Sequence, residues 1–490
     1  MSAKFDLGMV GLGTMGRALL LNMADKGNAV AGYDIDPEKA HSLVSEGGAP
    51  VDGFTDIEAF VKSIHCPRAI MILVPAGAPV DSVLNSLSPH LEKGDFVIDG
   101  GNSYFKDTDR RLKEMEAKGF GFMGMGVSGG EKGARLGPSM MPGGTPAQYE
   151  RVRKVLESIA AHHKGTPCVA LMGAGSAGHY VKMVHNGIEY AMMQIISEVY
   201  EVLKGYHESD EECAALFEKW AEGSFGGYLL EITAEVLRYP DDRGDGLLLD
   251  HIADRAKAKG TGKWASQDAM DLGVPVPAID AAVIARTVSA YQADRLKLDK
   301  GLGQWHYGRS LEIDDETFGK AIECAMLLAY IQGIHQIHLA SEEYGYGTNL
   351  DDVLKVWRAG CIIRSKLLDP LRAALPGAEG TGLLLHDKGL MAQLSEVHLQ
   401  LRWVITACIQ YGHPAPALSA SLAYLEGMTT GRLRGAALIQ GQRDLFGAHG
   451  YERLDCEGNF HADWDHPRRP DADAQDEKEP SKRVTPKVEL

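Results

Sequence analysis

Up to about residue 177, short apolar runs alternate with helical patterns. Phe5 to Val10, Ala29 to Tyr33, Ala69 to Val74, Phe96 to Asp99, Phe120 to Met125 and Cys168 to Met172 read as buried strands, and the first helix runs to about Lys26. Strands alternating with helices predict a doubly wound α/β sheet with right-handed crossovers. Beyond that point the pattern is almost wholly helical until the composition changes near Gly435. Residues 436–446 can continue as helix, whereas Asp463 to Leu490 is rich in Asp, Pro, Lys and Arg and reads as disordered. The predicted organisation is an α/β domain over 1–177, a large all-α domain over 178–434 and a tail over 435–490.

One helical stretch breaks the usual amphipathic pattern. Lys182, His185, Asn186, Glu189 and Tyr190 fall at i, i+3, i+4, i+7 and i+8, on one face, while Val181, Met183, Val184, Ile188, Met192, Met193, Ile195 and Ile196 are apolar. A polar stripe on an otherwise buried helix needs partners or a ligand. Lys182 and Glu189 stand roughly 10 Å apart along such a helix, enough to admit a small polar substrate. A desolvated lysine can take a proton from a hydroxyl, and a carboxyl raised by burial can donate one elsewhere, so the two form an acid/base pair with separate roles.

The same helix belongs to an internal duplication. Gln194, Ile196 and Tyr206 superpose on Gln332, Ile334 and Tyr344 at an offset of 138 residues (194 to 332), and Trp220 and Gly223 on Trp357 and Gly360 at 137 (220 to 357). At the first offset Lys182 falls on Lys320, His185 on Glu323, Asn186 on Cys324 and Glu189 on Leu327. Only the first copy keeps the polar constellation.

The first strand runs directly into Gly11-Leu12-Gly13-Thr14-Met15-Gly16 and then a helix, which is the dinucleotide fingerprint in its required context and makes the first domain Rossmann-like. The second strand ends at Asp34, 18 positions past Gly16, where a ribose-reading acid belongs. A 2′-phosphate beside Asp34 and Asp36 would be repelled by roughly 1 kcal/mol in water and about 4 at an intermediate dielectric, a ~10- to 1000-fold discrimination. NAD is the expected cofactor, with NADP the alternative. A second match, Gly173 to Gly178, leads into a long helix with no return strand and no acid, so it marks a domain junction instead.

Strand ends are where ligands bind in such sheets. Pro75-Ala76-Gly77, Gly100-Gly101-Asn102-Ser103 and Val127-Ser128-Gly129-Gly130 follow three of them, and the last serves equally as a polyol-binding or an ordinary glycine-rich loop. Lys257 to Trp264 combines lysines, glycines and Thr261, and Arg286 sits in the apolar helix Ala281 to Val288. These suggest an anion site, with a structural ion pair the alternative for Arg286.

A net charge of −17 argues against nucleic acid or an anionic membrane as partner. Seven scattered cysteines without C-x-x-C spacing read as reduced cytosol, and no apolar run is long enough to span a bilayer, so a cytoplasmic location is expected. His162, His163, His335 and His338 lack carboxylate or cysteine partners at ligand spacing, so no metal is expected.

The strings Gly100 to Ser103, Val127 to Gly130, Lys182 to Tyr190, Lys259 to Trp264, Cys361-Ile362-Ile363-Arg364-Ser365 and Arg443 to His449 together resemble the decarboxylating 6-phosphogluconate dehydrogenases, nearly end to end from Gly11 to about Trp464. The resemblance implies that Lys182 is general base and Glu189 general acid in oxidative decarboxylation of 6-phosphogluconate to ribulose 5-phosphate. It implies that Asn102, Ser128, Gly129, Gly130, His185 and Asn186 hold the carboxylate and hydroxyls. Tyr190, Lys259, Thr261 and Arg286 would hold the phosphate, joined by Arg443 and His449 from the partner in a homodimer whose tail crosses to the other subunit. The cofactor would lie against Gly11, Leu12, Gly13, Thr14, Met15, Gly16, Asp34, Val74, Pro75 and Asn102. NADP-linked members of the family carry Asn-Arg-Thr where Asp34-Ile35-Asp36 stand here, and often a lysine at Pro75, so this chain departs from them towards NAD.

Overall fold

The structure is a computed structural model that describes residues 5–46, 51–299 and 312–466. It divides into two compact units, Met1–Leu422 and Ala423–Leu490.

The first unit opens on a seven-stranded sheet in the order β3-β2-β1-β4-β5-β6-β7. The strands are β1 (Leu7–Val10), β2 (Val30–Tyr33), β3 (Val51–Phe54), β4 (Ala69–Ile72), β5 (Phe96–Asp99), β6 (Gly121–Ser128) and β7 (Ser139–Pro142). Pairings from β3 to β6 are parallel, and β7 closes the edge antiparallel to β6. Strands covered on both faces are largely apolar, and accordingly β1, β4 and, up to its terminal Asp99, β5 are apolar and wholly buried. One apolar layer, with Leu19, Met71, Ile98 and Leu156, fills one side of the sheet, and another, with Phe60, Ile70, Val97 and Phe122, fills the other. The strand order reverses between β1 and β4, which opens a crevice at their C-terminal ends.

The strand assignment needs correction at three places. Neither β3 nor the antiparallel β7 was foreseen. Cys168 to Met172 is not a strand: its backbone bonds are divided among Ala161, Met140 and Pro142, leaving one isolated bridge, Met140 to Val169, and no ladder. The following Gly173 to Gly178 turn leads straight into a helix, as its lack of a return strand requires.

The helical region is built on two long helices, Ala177–Leu203 and Asp315–Glu343, which occupy the duplicated spans. They cross at Gly333, where an added Cβ would stand 2.6 Å from Ile188 Cδ1, so the side-chain-free residue permits the approach. In the second helix the position matching Lys182 is Lys320, which pairs with Glu316 at 2.7 Å on the surface. The first helix also carries Glu198, 2 % exposed. Its carboxyl accepts 2.9 Å bonds from the Ala417 and Leu418 amides in the first turn of helix Pro416–Thr429, and a 3.0 Å bond from Gln194 Nε2. Burial pushes this carboxyl up to about 7 against the pull of those bonds.

In the second unit, helix Arg434–Gly447 and a ribbon of Tyr451–Glu452 with Asn459–Phe460 gather round Asp444. Its carboxylate contacts Gly450 N, His461 Nδ1, Ala462 N and Trp464 Nε1 at 2.9–3.1 Å. Most of the segment expected to be disordered, residues 467–490, lies outside the described residues. Among the described residues, no helix is long and apolar enough to cross a membrane.

Glu198→Ala leaves two helix-start amides without their acceptor in a buried site. Unfolding in urea should show a loss of about 2 kcal/mol; an unchanged midpoint would mean these bonds contribute nothing to the fold.

Candidate active site

At the crevice, three glycines are constrained differently. Gly11 has φ +93° and lies so close to Leu73 that an added Cβ would stand 2.5 Å from its carbonyl oxygen. A Cβ on Gly16 would overlap the Gly11 carbonyl, so helix and strand pack through it, whereas Gly13 has open space where a Cβ would point. The helix Thr14–Asp25 that follows has no side-chain cap and no acidic residue in its first turn. Free N–H groups, a favourable dipole end and open space together fit a pyrophosphate. Asp34 Oδ2 accepts 2.7 Å from the Leu12 amide, and its Oδ1 accepts 3.0 Å from the Asp36 amide, so the strand-end acid is held against the glycine turn. Thr14 and Pro75 are exposed and Met15 and Val74 half-buried along this crevice, while Leu12 is buried beneath it.

Asn102 is exposed in the loop after β5, its neighbours fixed because Asp99 accepts from Gly101 N at 3.0 Å and Ser103 Oγ at 2.6 Å. The long helix Ala177–Leu203 is tied to the same strand end, where His179 Nε2 lies 2.9 Å from the Asp99 carbonyl. One further turn along, Lys182 passes β6, where a Cβ on Gly126 would overlap the lysine stem. The helix face predicted to be polar is assembled here.

Lys182 Nζ lies 3.4 Å from His185 Nδ1, which lies 3.1 Å from Asn186 Oδ1 and 3.7 Å from Glu189 Oε2. His185 Nε2 lies 3.1 Å from Ser128 Oγ. Asn186 Oδ1 can only accept, which puts the imidazole proton on Nδ1 and leaves Nε2 to accept from the serine. Gly129 and Gly130 follow, both at positive φ (132° and 63°), as the turn out of β6 requires.

Burial draws the Lys182 amine below the ordinary lysine value, opposed by the Glu189 carboxylate. Burial also raises Glu189, opposed by Lys182 and Arg286. His185, fully buried beside the lysine, is held well below the usual imidazole range and is neutral near pH 7. The expected separation of acid and base along the helix axis is thus bridged by a neutral imidazole.

A second cluster continues from Tyr190. The Arg286 guanidinium stacks 3.4 Å from the Tyr190 ring centroid, and Arg286 otherwise donates to the Lys257 carbonyl at 3.1 Å and Met193 Sδ at 3.4 Å. These contacts are neutral, so the structural ion pair considered for Arg286 is not made by them. Gly262 abuts the Tyr190 ring, Thr261 is buried at the start of helix Thr261–Asp271, and Lys259 is exposed just before it. Arg443 and His449 lie in the second unit, both exposed; Arg443 Nη1 donates to Gln440 at 3.0 Å.

Some neighbours had no assigned role in the sequence reading. Trp357 meets the His185 ring edge-on at 5.8 Å, and the Ile362 amide donates to Ser128 Oγ at 3.4 Å. Cys361 is buried beside Lys182, and desolvation pushes its thiol up to about 12, so it stays protonated. The string Cys361 to Ser365 was the available signal, but it carries no spacing that states a role.

Fold and site together define an oxidoreductase with a Rossmann dinucleotide-binding domain and a helical domain carrying a buried lysine. Residues 6–173 match a family model described as the NAD binding domain of 6-phosphogluconate dehydrogenase, and residues 178–464 one described as the 6-phosphogluconate dehydrogenase C-terminal domain. The chain belongs to the 6-phosphogluconate dehydrogenase family. It is 44% identical over 468 residues to the decarboxylating 6-phosphogluconate dehydrogenase of Lactococcus lactis subsp. lactis, covering 94% of this chain and 99% of that one. It is 42% identical over 467 residues to the NADP(+)-dependent, decarboxylating enzyme of Bacillus subtilis, with the same coverages. Among solved structures, Plasmodium falciparum 6-phosphogluconate dehydrogenase, described in apo form and in complexes with NADP+ and with 6-phosphogluconate, matches with TM-score 0.89 at 38% identity, covering 94% of this chain and all of that one.

Gly126→Ala adds one methyl against the Lys182 stem and nothing polar. It should lower turnover at least tenfold while the circular-dichroism spectrum stays native, and an unaltered rate would mean that Lys182 need not hold this position.

Proposed function

We propose that this chain catalyses oxidative decarboxylation of 6-phosphogluconate to ribulose 5-phosphate and CO2, with NAD preferred to NADP. The observation that carries the reading is the chain Lys182, His185, Glu189 on one buried helix face beside the ends of β5 and β6.

Lys182, its amine drawn below the ordinary lysine value by burial, removes the proton of the C3 hydroxyl. The nicotinamide, when bound, supplies the hydride acceptor. The lysine, now an ammonium, bonds the C3 ketone and draws electrons as the bond to the carboxylate breaks and CO2 leaves. Glu189, whose carboxyl burial raises, delivers a proton to the carbon that becomes C1 of the product. Asn102, Ser128, Gly129, Gly130, His185 and Asn186 orient the carboxylate and hydroxyls. Lys259, Thr261, Tyr190 and Arg286 hold the phosphate; the Arg286 hydrogen bonds support this, since they go to the neutral Lys257 carbonyl and Met193 sulfur.

Residues 1–177 hold the dinucleotide, 178–434 the sugar phosphate, and the 435–490 tail supplies Arg443 and His449 to the other site of a homodimer. Ile284, Val288 and Tyr291 support dimerisation: they are 52–62 % exposed at i, i+4 and i+7, an apolar stripe suited to a second protein surface.

Asp34 supports NAD. The cation nearest to it, Lys39, lies 4.0 Å from Asp34 and 3.6 Å from Asp36, so two carboxylates already offset its charge before any phosphate arrives.

The test measures reduction of NAD and of NADP with 6-phosphogluconate while CO2 is collected. One CO2 per NADH, with kcat/KM at least tenfold higher for NAD, is expected. No reduction with either cofactor would overturn the reaction, and an NADP preference would overturn the role of Asp34. Lys182→Met should reduce kcat by ~10²–10⁴; activity within tenfold of wild type would remove the lysine from the mechanism.

A further inference from the structure

Beyond the site residues themselves, the loops that face the cofactor crevice are joined by a buried cation with no role so far. Arg111, in helix Phe105–Ala117, is fully buried. Its Nε and Nη2 donate to Asp81 Oδ1 and Oδ2 at 2.8 and 3.0 Å, a bidentate fork, and Nη2 also reaches the Gly77 carbonyl at 3.0 Å. On its other side Nη1 meets Ser103 Oγ at 3.5 Å and Asp99 Oδ2 at 3.7 Å. Gly77 and Asp81 begin helix Ala78–Leu87 after the β4 loop, and Asp99 and Ser103 bracket the β5 loop that carries Asn102. One planar guanidinium therefore spans two consecutive strand-end loops. The Asp81 carboxylate, held by Arg111 at about 2, is ionised throughout the physiological range, so the fork does not loosen with pH.

The location of these loops gives the clamp its meaning. A dinucleotide with its pyrophosphate on the Gly11–Gly16 turn and its adenosine ribose at Asp34 lies with that half towards β2. Its other half must cross the sheet's reversal point and extend over the ends of β4 and β5. We propose that Arg111 is a positioning residue: by fixing the β4 loop to the β5 loop it sets the width of the slot that receives the nicotinamide. The proposal rests on the dehydrogenase reading above. Lysine cannot replace the fork, because one ammonium cannot donate along two fixed directions to a carboxylate and also reach the opposite loop.

Two variants test this. Asp81→Asn acts on a partner that is 33 % exposed, removing the carboxylate from Arg111 and from its exposed neighbour Arg110, which also bonds it at 2.9 Å, and Arg111→Lys keeps the charge but loses the fork. Two readouts are taken: NADH affinity from the quenching of tryptophan fluorescence, which needs no turnover, and KM for NAD and for 6-phosphogluconate separately. Both variants should weaken NADH binding and raise KM for NAD about tenfold, while KM for 6-phosphogluconate stays within twofold. Unchanged NADH affinity in folded variants would overturn the clamp, as would an equal rise in both KM values, which is what a merely structural role gives. Should Arg111→Lys fail to fold, Asp81→Asn decides alone. A wild-type protein that binds NADH but does not turn over would refute the dehydrogenase reading and leave the clamp to be judged by affinity.

Discussion

Removing the Lys182 amine from water is the constraint on which the site depends. A lysine in solvent is an ammonium at neutral pH and cannot act as a base. Here the surrounding helix is buried over nearly all its length and its neighbour His185 is a neutral imidazole that adds no positive charge. Glu189, at the far end of the stripe, and to a lesser degree Cys361 favour the charged amine, and burial weakens the glutamate's pull by favouring its own protonated form. The same desolvation thus draws the lysine down and pushes the glutamate up. Two opposite shifts come from one physical cause.

The fold supplies this burial through contacts that tolerate little change. The second long helix covers the first through the close crossing at Gly333 and is itself buried over most of its length. Gly126 lets β6 lie against the lysine stem, and His179 links the start of the helix to the end of β5. Lys182 is therefore indexed to the sheet whose strand ends would hold the cofactor. Arg111 extends that indexing from β5 to β4.

Much of this was legible in the sequence because it rests on local periodicity. The apolar runs that form β1, β4 and most of β5 read as buried strands, and the fingerprint Gly11 to Gly16 with Asp34 states its own geometry. The stripe from Lys182 to Tyr190 was equally plain, since helical spacing alone puts those side chains on one face. Features that depend on distant partners were not legible. β7 is short and its antiparallel pairing is fixed by β6, while Cys168 to Met172 looks like a strand until its hydrogen bonds are seen to be shared among three segments. Arg111 sits in an ordinary charged helix, Asp-Arg-Arg, and only the tertiary fold reveals that it points inward between two loops. Glu198 and Asp444 were hidden for the same reason: a carboxylate that organises backbone amides far along the chain carries no local signal.

The most direct test of the central claim is a titration of the Lys182 amine itself. With isotopically labelled lysine, and Lys182→Met to assign the resonance, the signal can be followed against pH in wild type and in Glu189→Gln. The account predicts a midpoint below the ordinary lysine value of 10.5 in wild type and a lower one still in Glu189→Gln, because the opposing carboxylate is gone. A midpoint at or above the ordinary value would contradict it, since Lys182 would then be a plain ammonium and the helix face a binding surface without a base.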